Sequence, residues 1–370
     1  MSYYETLLPY QSFPFEEFFG RVSSENIEEA IQSNRQDEHQ LLTLLSPTAE
    51  NHLETIAERA HQLTSMHFGK TIQLYTPIYI SNYCDNQCAY CGFNASHDLP
   101  RKKLSPEEIE KEAAFISSSG LKHILILTGE SKTNSSLDYL TDCVQLLKKY
   151  FSSIAVEIPA LTENEYAGLI EAGVDGLTLY QETYDETIYR QVHQAGPKKD
   201  YLFRLTAPER AGRQGMRAIN IGALLGLANW RKDVFFLGFH AKYLQDLFPD
   251  AEIGVSIPRL KSHPGHFNVL NPVSDKNMAQ IVTALRIFLP RLGISLSTRE
   301  KPELRENLLP LGITRMSAGS STKVGGHTVI CNGQPSLPQF EIADTRNVEE
   351  IKIMLAAKGY QPVLKDWMPI

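Results

Sequence analysis

The sequence predicts an α/β fold, a (β/α)8 TIM-type barrel, closed or partly open, with a helical N-terminal extension and a C-terminal tail. Three observations carry this expectation. From residue 73 onward, short runs rich in β-branched and aromatic residues alternate with amphipathic runs of helical period, as successive parallel βα units do. About eight such strands can be counted. The stretch from the first to the last is close to the roughly 250 residues that one such barrel occupies.

Residues 1–72 carry helical periodicity, clearest at 24–30 and 53–66, and are expected to form the extension. Strands are expected at 74–80, 123–128, 154–158, 176–180, 218–221, 252–257, 294–297 and 313–317. Helices are expected between them at 106–118, 136–150, 163–172, 231–247 and 276–289. The run Ser105-Pro106-Glu107-Glu108 supplies an N-cap, a proline at the first helical position and acidic residues in the first turn. The barrel proper is expected over 73–320, with 321–370 a tail packed on it.

Composition narrows the function. The chain has 370 residues, 42% hydrophobic and 21% charged, with a formal net charge of -7. These fractions are those of an ordinary globular protein, and no basic run stands out, which argues against nucleic acid or an anionic membrane as partner. No apolar run reaches 18 residues, and Met1-Ser2-Tyr3-Tyr4-Glu5 lacks a basic start followed by an apolar stretch, so neither secretion nor membrane insertion is expected. Five cysteines, three of them bunched, point to a reducing, cytoplasmic location rather than a disulfide framework. Cys143 falls beside Val144 and Leu147 in a helical pattern and reads as core, whereas Cys331 sits in a Gly-rich tail.

The bunched cysteines, Cys84, Cys88 and Cys91, are spaced Cys-x3-Cys-x2-Cys. A four-iron cluster normally takes four thiolates, so a loop that offers three leaves one iron open to a small molecule. Two other readings stand beside this one. Positions i, i+4 and i+7 also describe one buried helix face, although Asp85, Asn86, Gln87 and Gly92 are poor helix formers. A zinc site completed by His97 is the other. In a barrel the active site gathers at the C-terminal ends of the strands. There the sequence places Gly129 and Glu130, Glu157, Gln181-Glu182-Thr183-Tyr184, Gly222, Arg259, Thr298-Arg299-Glu300, Ser317 and Ser320. Any one of them is ordinarily a helix cap or a salt bridge, but together they point to one pocket. His263 and His266 in a polar loop raise metal binding as an option, and residues 319–323 lack the Gly-Lys-Ser/Thr ending of a phosphate-binding loop.

With Tyr90 immediately before its last cysteine, the loop resembles that of the radical S-adenosylmethionine (SAM) superfamily. Cys91-Gly92-Phe93, Leu127-Thr128-Gly129-Glu130, Tyr180-Gln181-Glu182-Thr183-Tyr184, Ser297-Thr298-Arg299-Glu300 and Lys365-Asp366-Trp367 narrow the resemblance to the aromatic-amino-acid lyase branch. Within it the chain is most similar to the 2-iminoacetate synthase family of tyrosine lyases, which serve thiazole formation in thiamine biosynthesis. The similarity runs from about residue 74 to the C-terminus.

The resemblance implies a [4Fe-4S] cluster held by Cys84, Cys88 and Cys91, with SAM on the fourth iron as the source of a 5′-deoxyadenosyl radical. It implies that Gly129 and Glu130 receive the amino group of SAM, and that Glu182 and Arg204 contact its ribose and carboxylate. Residues 222–226, beginning with Gly222, would let backbone approach the adenine. Arg299 would clamp the carboxylate of L-tyrosine, with Ser317, Ser320 and Tyr90 completing the cradle. Hydrogen abstraction from the substrate amine and Cα–Cβ cleavage would then give 2-iminoacetate (dehydroglycine) and p-cresol. A thiazole synthase subunit and a one-electron reductant protein are the implied partners. The related lyase of iron-only hydrogenase maturation carries extra C-terminal cysteines, whereas this chain has only Cys331 beyond the barrel, which favours the thiamine branch. A radical reaction on another aromatic amino acid, and a zinc-stabilised binding scaffold, are the remaining alternatives.

Overall fold

The computed structural model describes residues 2–260, 267, 269, 271–328 and 337–365. His263, His266, Cys331, Asp366 and Trp367 lie outside the described residues. Eight strands close a parallel barrel: β1 (Thr71–Ser81), β2 (His123–Thr128), β3 (Ser153–Glu157), β4 (Gly176–Glu182), β5 (Ala218–Ala223), β6 (Glu252–Ser256), β7 (Gly293–Leu296) and β8 (Arg315–Ser317). Closure comes from β1, which pairs in parallel with β2 on one side and β8 on the other.

A ninth strand, β9 (Gln361–Val363), was not expected; it pairs in parallel with Thr71, Ile72 and Gln73 at the start of β1. It has room there because β2 pairs with β1 only from Thr76 onward, which leaves the start of that edge open, opposite the edge taken by β8. Three residues centred on a proline carry no period by which sequence reading finds a strand. The short helices Glu186–Val192, Tyr201–Leu205, Ala207–Arg213 and Pro302–Leu308 and the longer Val348–Ala357 were likewise not anticipated. The five expected helices are present with ends shifted by at most three residues; Ser136, expected inside one of them, is instead the cap, accepting from the Tyr139 N–H. Ser105 caps Pro106–Ser118 with Glu108 closing a reciprocal box.

Residues before β1 form the helices Tyr3–Leu7, Phe15–Arg21, Ser24–Gln32, Glu38–Leu44 and Leu53–Phe68. They cover two outer helices of the barrel, Trp230–Leu247 and Asp275–Phe288. The contact is aromatic on one side: Phe15 packs edge-on to Phe235 and Phe236, and Tyr3 stacks on His240 with ring centroids 4.0 Å apart. On the other side Gln280 donates its amide to the carbonyls of Leu44 and Ser46, at 3.0 and 2.9 Å. No helix among the described residues is long and apolar enough to cross a membrane.

Two strands break register at their C-terminal ends, β1 between Tyr79 and Ser81 and β4 between Tyr180 and Glu182. A bulge bends its strand and re-aims the next side chain. Both lie where the chain turns into the mouth of the barrel. Glu182 takes a left-handed backbone, φ 72°, which a side chain other than glycine adopts only at a cost and which clusters at functional sites.

Candidate active site

The cysteine loop leaves β1 as irregular chain held by many specific bonds, and the helical-face reading fails because no helix forms there. The Arg101 guanidinium donates to the carbonyls of Asn82, Phe93 and Asn94 at 2.7, 2.8 and 2.7 Å. Asn94 donates to the Cys88 carbonyl at 3.0 Å, and the Asp85 N–H donates to the Glu130 carbonyl at 2.8 Å. Gly129 is required by this contact: a Cβ there would lie 2.3 Å from the Tyr83 carbonyl oxygen.

Cys84, Cys88 and Cys91 line one partly enclosed cavity. Burial, with the charges of Cys91 and Glu130 adding to it, pushes the Cys84 thiol up to about 11, and burial also raises Cys88 and Cys91. Binding iron must therefore expel protons. A single zinc ion draws its donors to about 2.3 Å, but among the described residues no three His, Cys, Asp or Glu side chains gather as such a set. His97 turns its Nδ1 to the Gly92 carbonyl, 3.2 Å away, and does not line the cavity. Three thiols spaced around a common hollow fit a cubane, whose corners take one thiolate each.

Beside the thiols lies a buried quartet of two acids and two bases. Arg204 Nη1 is 2.9 Å from Glu130 Oε1, and Lys198 Nζ is 2.7 Å from Glu182 Oε1. Cross pairs at 3.8 Å (Arg204–Glu182) and 4.0 Å (Lys198–Glu130) complete it. Burial works against both carboxylates, yet Arg204 and then Lys198 hold Glu130 below the usual range, and Lys198 and then Arg204 do the same for Glu182. Asn86 braces the group, donating to Glu130 Oε2 and accepting from the Lys198 N–H, each at 2.8 Å. A neutral quartet of this kind can exchange its internal pairs for a ligand that carries both an ammonium and a carboxylate. Lys198, in a one-turn Pro197–Lys199 helix, was missed by sequence reading because nothing sets it apart from a surface lysine.

Across the cavity stands Arg299. Its guanidinium carbon is stacked 3.3 Å from the Phe340 ring centroid, and among the described residues the guanidinium makes no hydrogen bond or ion pair. Glu157, at the end of β3, lines the same cavity; burial and then the Glu182 charge push its carboxyl up to about 7. Phe340 and Gln339, from the C-terminal segment, complete this wall. Neither was signalled by any motif.

Not every strand-end residue joins this cavity. The ring of Tyr90 lines it, but its hydroxyl is held 2.8 Å from His193 Nε2. The Ser317 hydroxyl accepts from the Thr298 N–H at 3.0 Å and lies behind the wall. Gly222 on β5 sits against Tyr180, where a Cβ would fall 2.5 Å from the ring. The Ser320 hydroxyl is buried with no hydrogen-bond partner among the described residues. Arg259 and Glu300 pair with each other instead, and Thr183 and the Tyr184 N–H both donate to Asp233. The expectation of one pocket for all of them is corrected: alternate residues of a strand face opposite ways, so Tyr180 and Glu182 reach the cavity while their neighbours serve the outer layer.

Comparison with known proteins agrees with this geometry. A Radical SAM superfamily model matches residues 78–235, and a Biotin and Thiamin Synthesis associated domain matches residues 256–361. The 2-iminoacetate synthase of Escherichia coli (strain K12) is 39% identical over 343 residues, covering 92% of this chain and 90% of that protein. The crystal structure of the FeFe-hydrogenase maturase HydG from Carboxydothermus hydrogenoformans superimposes with a TM-score of 0.86 at 33% identity, covering 98% of this chain and 83% of that one. Methylornithine synthase (PylB), at 21% identity and a TM-score of 0.74 over 91% of this chain and 97% of that one, shares the fold.

Proposed function

This chain belongs to the 2-iminoacetate synthase family of radical SAM enzymes, and from that premise we propose that it cleaves the Cα–Cβ bond of L-tyrosine to 2-iminoacetate and p-cresol. The observation that carries the reading is one cavity shared by three cluster-type thiols, a charged quartet and an unpaired guanidinium. Held there, a [4Fe-4S] cluster and SAM would, on receipt of one electron from a reductant, supply the 5′-deoxyadenosyl radical chemistry for hydrogen abstraction from the substrate amine, with methionine and 5′-deoxyadenosine as coproducts.

The chain's own residues position and exclude. Cys84, Cys88 and Cys91 hold the cluster. Glu130, set at the cavity wall by the close approach that Gly129 permits, accepts the ammonium of SAM; Arg204 and Lys198 face its carboxylate, and Glu182 its ribose. Gly222 acts through Tyr180, which needs the space beside it. Arg299 takes the tyrosine carboxylate as a planar fork, and stacking on Phe340 fixes its plane before substrate arrives. Ser317 sets the Thr298 backbone next to that arginine, and the Tyr90 ring walls the cavity.

2-Iminoacetate hydrolyses readily, so direct handover to a thiazole synthase subunit is the expected next step, with a one-electron reductant protein feeding the cluster. Three thiols that must stay reduced favour a reducing compartment such as the cytoplasm. Anaerobic protein loaded with its cluster, given SAM, tyrosine and a reductant, is expected to yield p-cresol and 5′-deoxyadenosine together. Release of 5′-deoxyadenosine without p-cresol would leave only the cofactor chemistry standing and would turn attention to other aromatic amino acids.

A further inference from the structure

Residues 337–344 run as a strap across the cavity from the far end of the chain. The Gln339 N–H donates to the Thr322 carbonyl at 3.0 Å, the Thr322 hydroxyl donates to the Phe340 carbonyl at 2.8 Å, and the Ala343 N–H donates to the Thr298 carbonyl at 2.9 Å. The strap reaches the cysteine loop directly. The Gly92 N–H donates to the Gln339 carbonyl at 3.2 Å, an approach open only to glycine, since a Cβ on residue 92 would lie 2.5 Å from that oxygen. Backbone contact thus fixes where the Gln339 side chain begins.

Its amide is fixed as well. The Tyr79 hydroxyl donates to Gln339 Oε1 at 2.7 Å, which turns Nε2 toward Cys91, and Nε2 lies 3.7 Å from the Cys91 sulfur. Cys91 is the only one of the three cluster-type sulfurs to receive a side-chain amide among the described residues. We propose that Gln339 is a positioning residue for electron entry, its amide donating to the Cys91 thiolate and raising the reduction potential of the cluster. The inference rests on the assignment of Cys84, Cys88 and Cys91 as cluster ligands. An electron added to the cluster increases the negative charge on its sulfurs, so a donor aimed at one of them stabilises the reduced state more than the oxidised one. The strap is thereby part of the redox centre although it lies about 250 residues from the cysteines in sequence.

The test is a potentiometric titration, followed by electron paramagnetic resonance, of anaerobic protein without SAM. Gln339→Met keeps the length of the side chain and removes the donor. A hydrogen bond to a charged group contributes about 1.5 kcal/mol, so the ratio of reduced to oxidised cluster at a fixed potential is expected to fall about tenfold, a downward shift of about 59 mV for one electron. Gln339→Glu, with a carboxylate facing the sulfur, is expected to shift further in the same direction. Tyr79→Phe leaves the amide in place but unoriented and is expected to shift less, again downward. Equal potentials for wild type and Gln339→Met at full cluster content would overturn the proposal. Should Gln339→Met fail to hold a cluster, an unchanged potential in Tyr79→Phe would overturn it instead. A wild-type protein that takes up no cluster at all would sink the proposed function, a separate outcome.

Discussion

The two halves of the barrel build the same cavity by different means. The first half, β1 to β4 with the segment that follows, brings the thiols and Glu130 on loops that follow β1 and β2, Glu182 as the last residue of β4, and Lys198 and Arg204 on short helices beyond it. It is dense in charge, and apart from the Glu157 carboxyl the charges it brings to the cavity are paired with one another. The second half brings one unpaired guanidinium from the end of β7 and a wall from the strap, 40 residues further along the chain. A site that must hold one cofactor at every turnover can carry its own counter-charges. A site for a substrate that comes and goes leaves its charge waiting, steadied by a ring rather than by a carboxylate.

If the division is real, variants in the first half abolish SAM chemistry and variants in the second change only what tyrosine does. Cys88→Ala is expected to have the largest effect: no cluster and no 5′-deoxyadenosine, with circular dichroism unchanged, because the loop's bonds at this position run through backbone atoms. Next comes Glu130→Gln. Removing one partner of a buried pair costs about 3–5 kcal/mol; SAM affinity is expected to fall by a hundredfold or more, read by equilibrium binding, with thermal stability falling too.

Arg299→Ala sharpens the comparison from the other side. Loss of hydrogen bonds to a charged group is expected to raise the KM for tyrosine by roughly ten- to a hundredfold, about 1.5–3 kcal/mol. SAM cleavage in the absence of tyrosine is expected to stay as it was. A parallel loss of SAM binding in this variant would break the division. The smallest effect is a slope. The Glu157 carboxyl, raised from its ordinary value of about 4.5 to about 7, binds a proton in the fold that the unfolded chain has already released. Its stabilising contribution is therefore full below about pH 4.5 and is lost as pH rises through about 7. Glu157→Gln is expected to flatten the fall in melting temperature of the apoprotein between about pH 5 and 8, checked by calorimetry; an unchanged slope would place the carboxylate in a wetter setting.

The same division decides what could be read from the sequence. β2 was found to the residue, because His123–Thr128 is a continuous apolar run bounded by turn residues. The cysteine loop and Gly129-Glu130 were visible because their chemistry is written in adjacent residues. Lys198 was not, since a lysine becomes a cavity wall only once Glu182 is brought beside it by a bulge in β4. Gln339 and Phe340 were not either: their partners, Cys91 and Arg299, belong to other segments, and no period or spacing records such a meeting. Thr183 and Tyr184 erred in the opposite direction: they lie just past the end of β4, where the Thr183 hydroxyl and the Tyr184 N–H donate to Asp233 instead.

The pairing of β9 with the start of β1 bears on the order of synthesis. The strand made first in the barrel is sealed by the strand made last, and the strap that covers the cavity emerges just before it. While the ribosome is still adding the final hundred residues, the cysteine loop already exists with one side open. Folding from the N-terminus therefore gives newly made chain an interval in which iron and sulfide reach the loop from the side that residues 337–344 later cover.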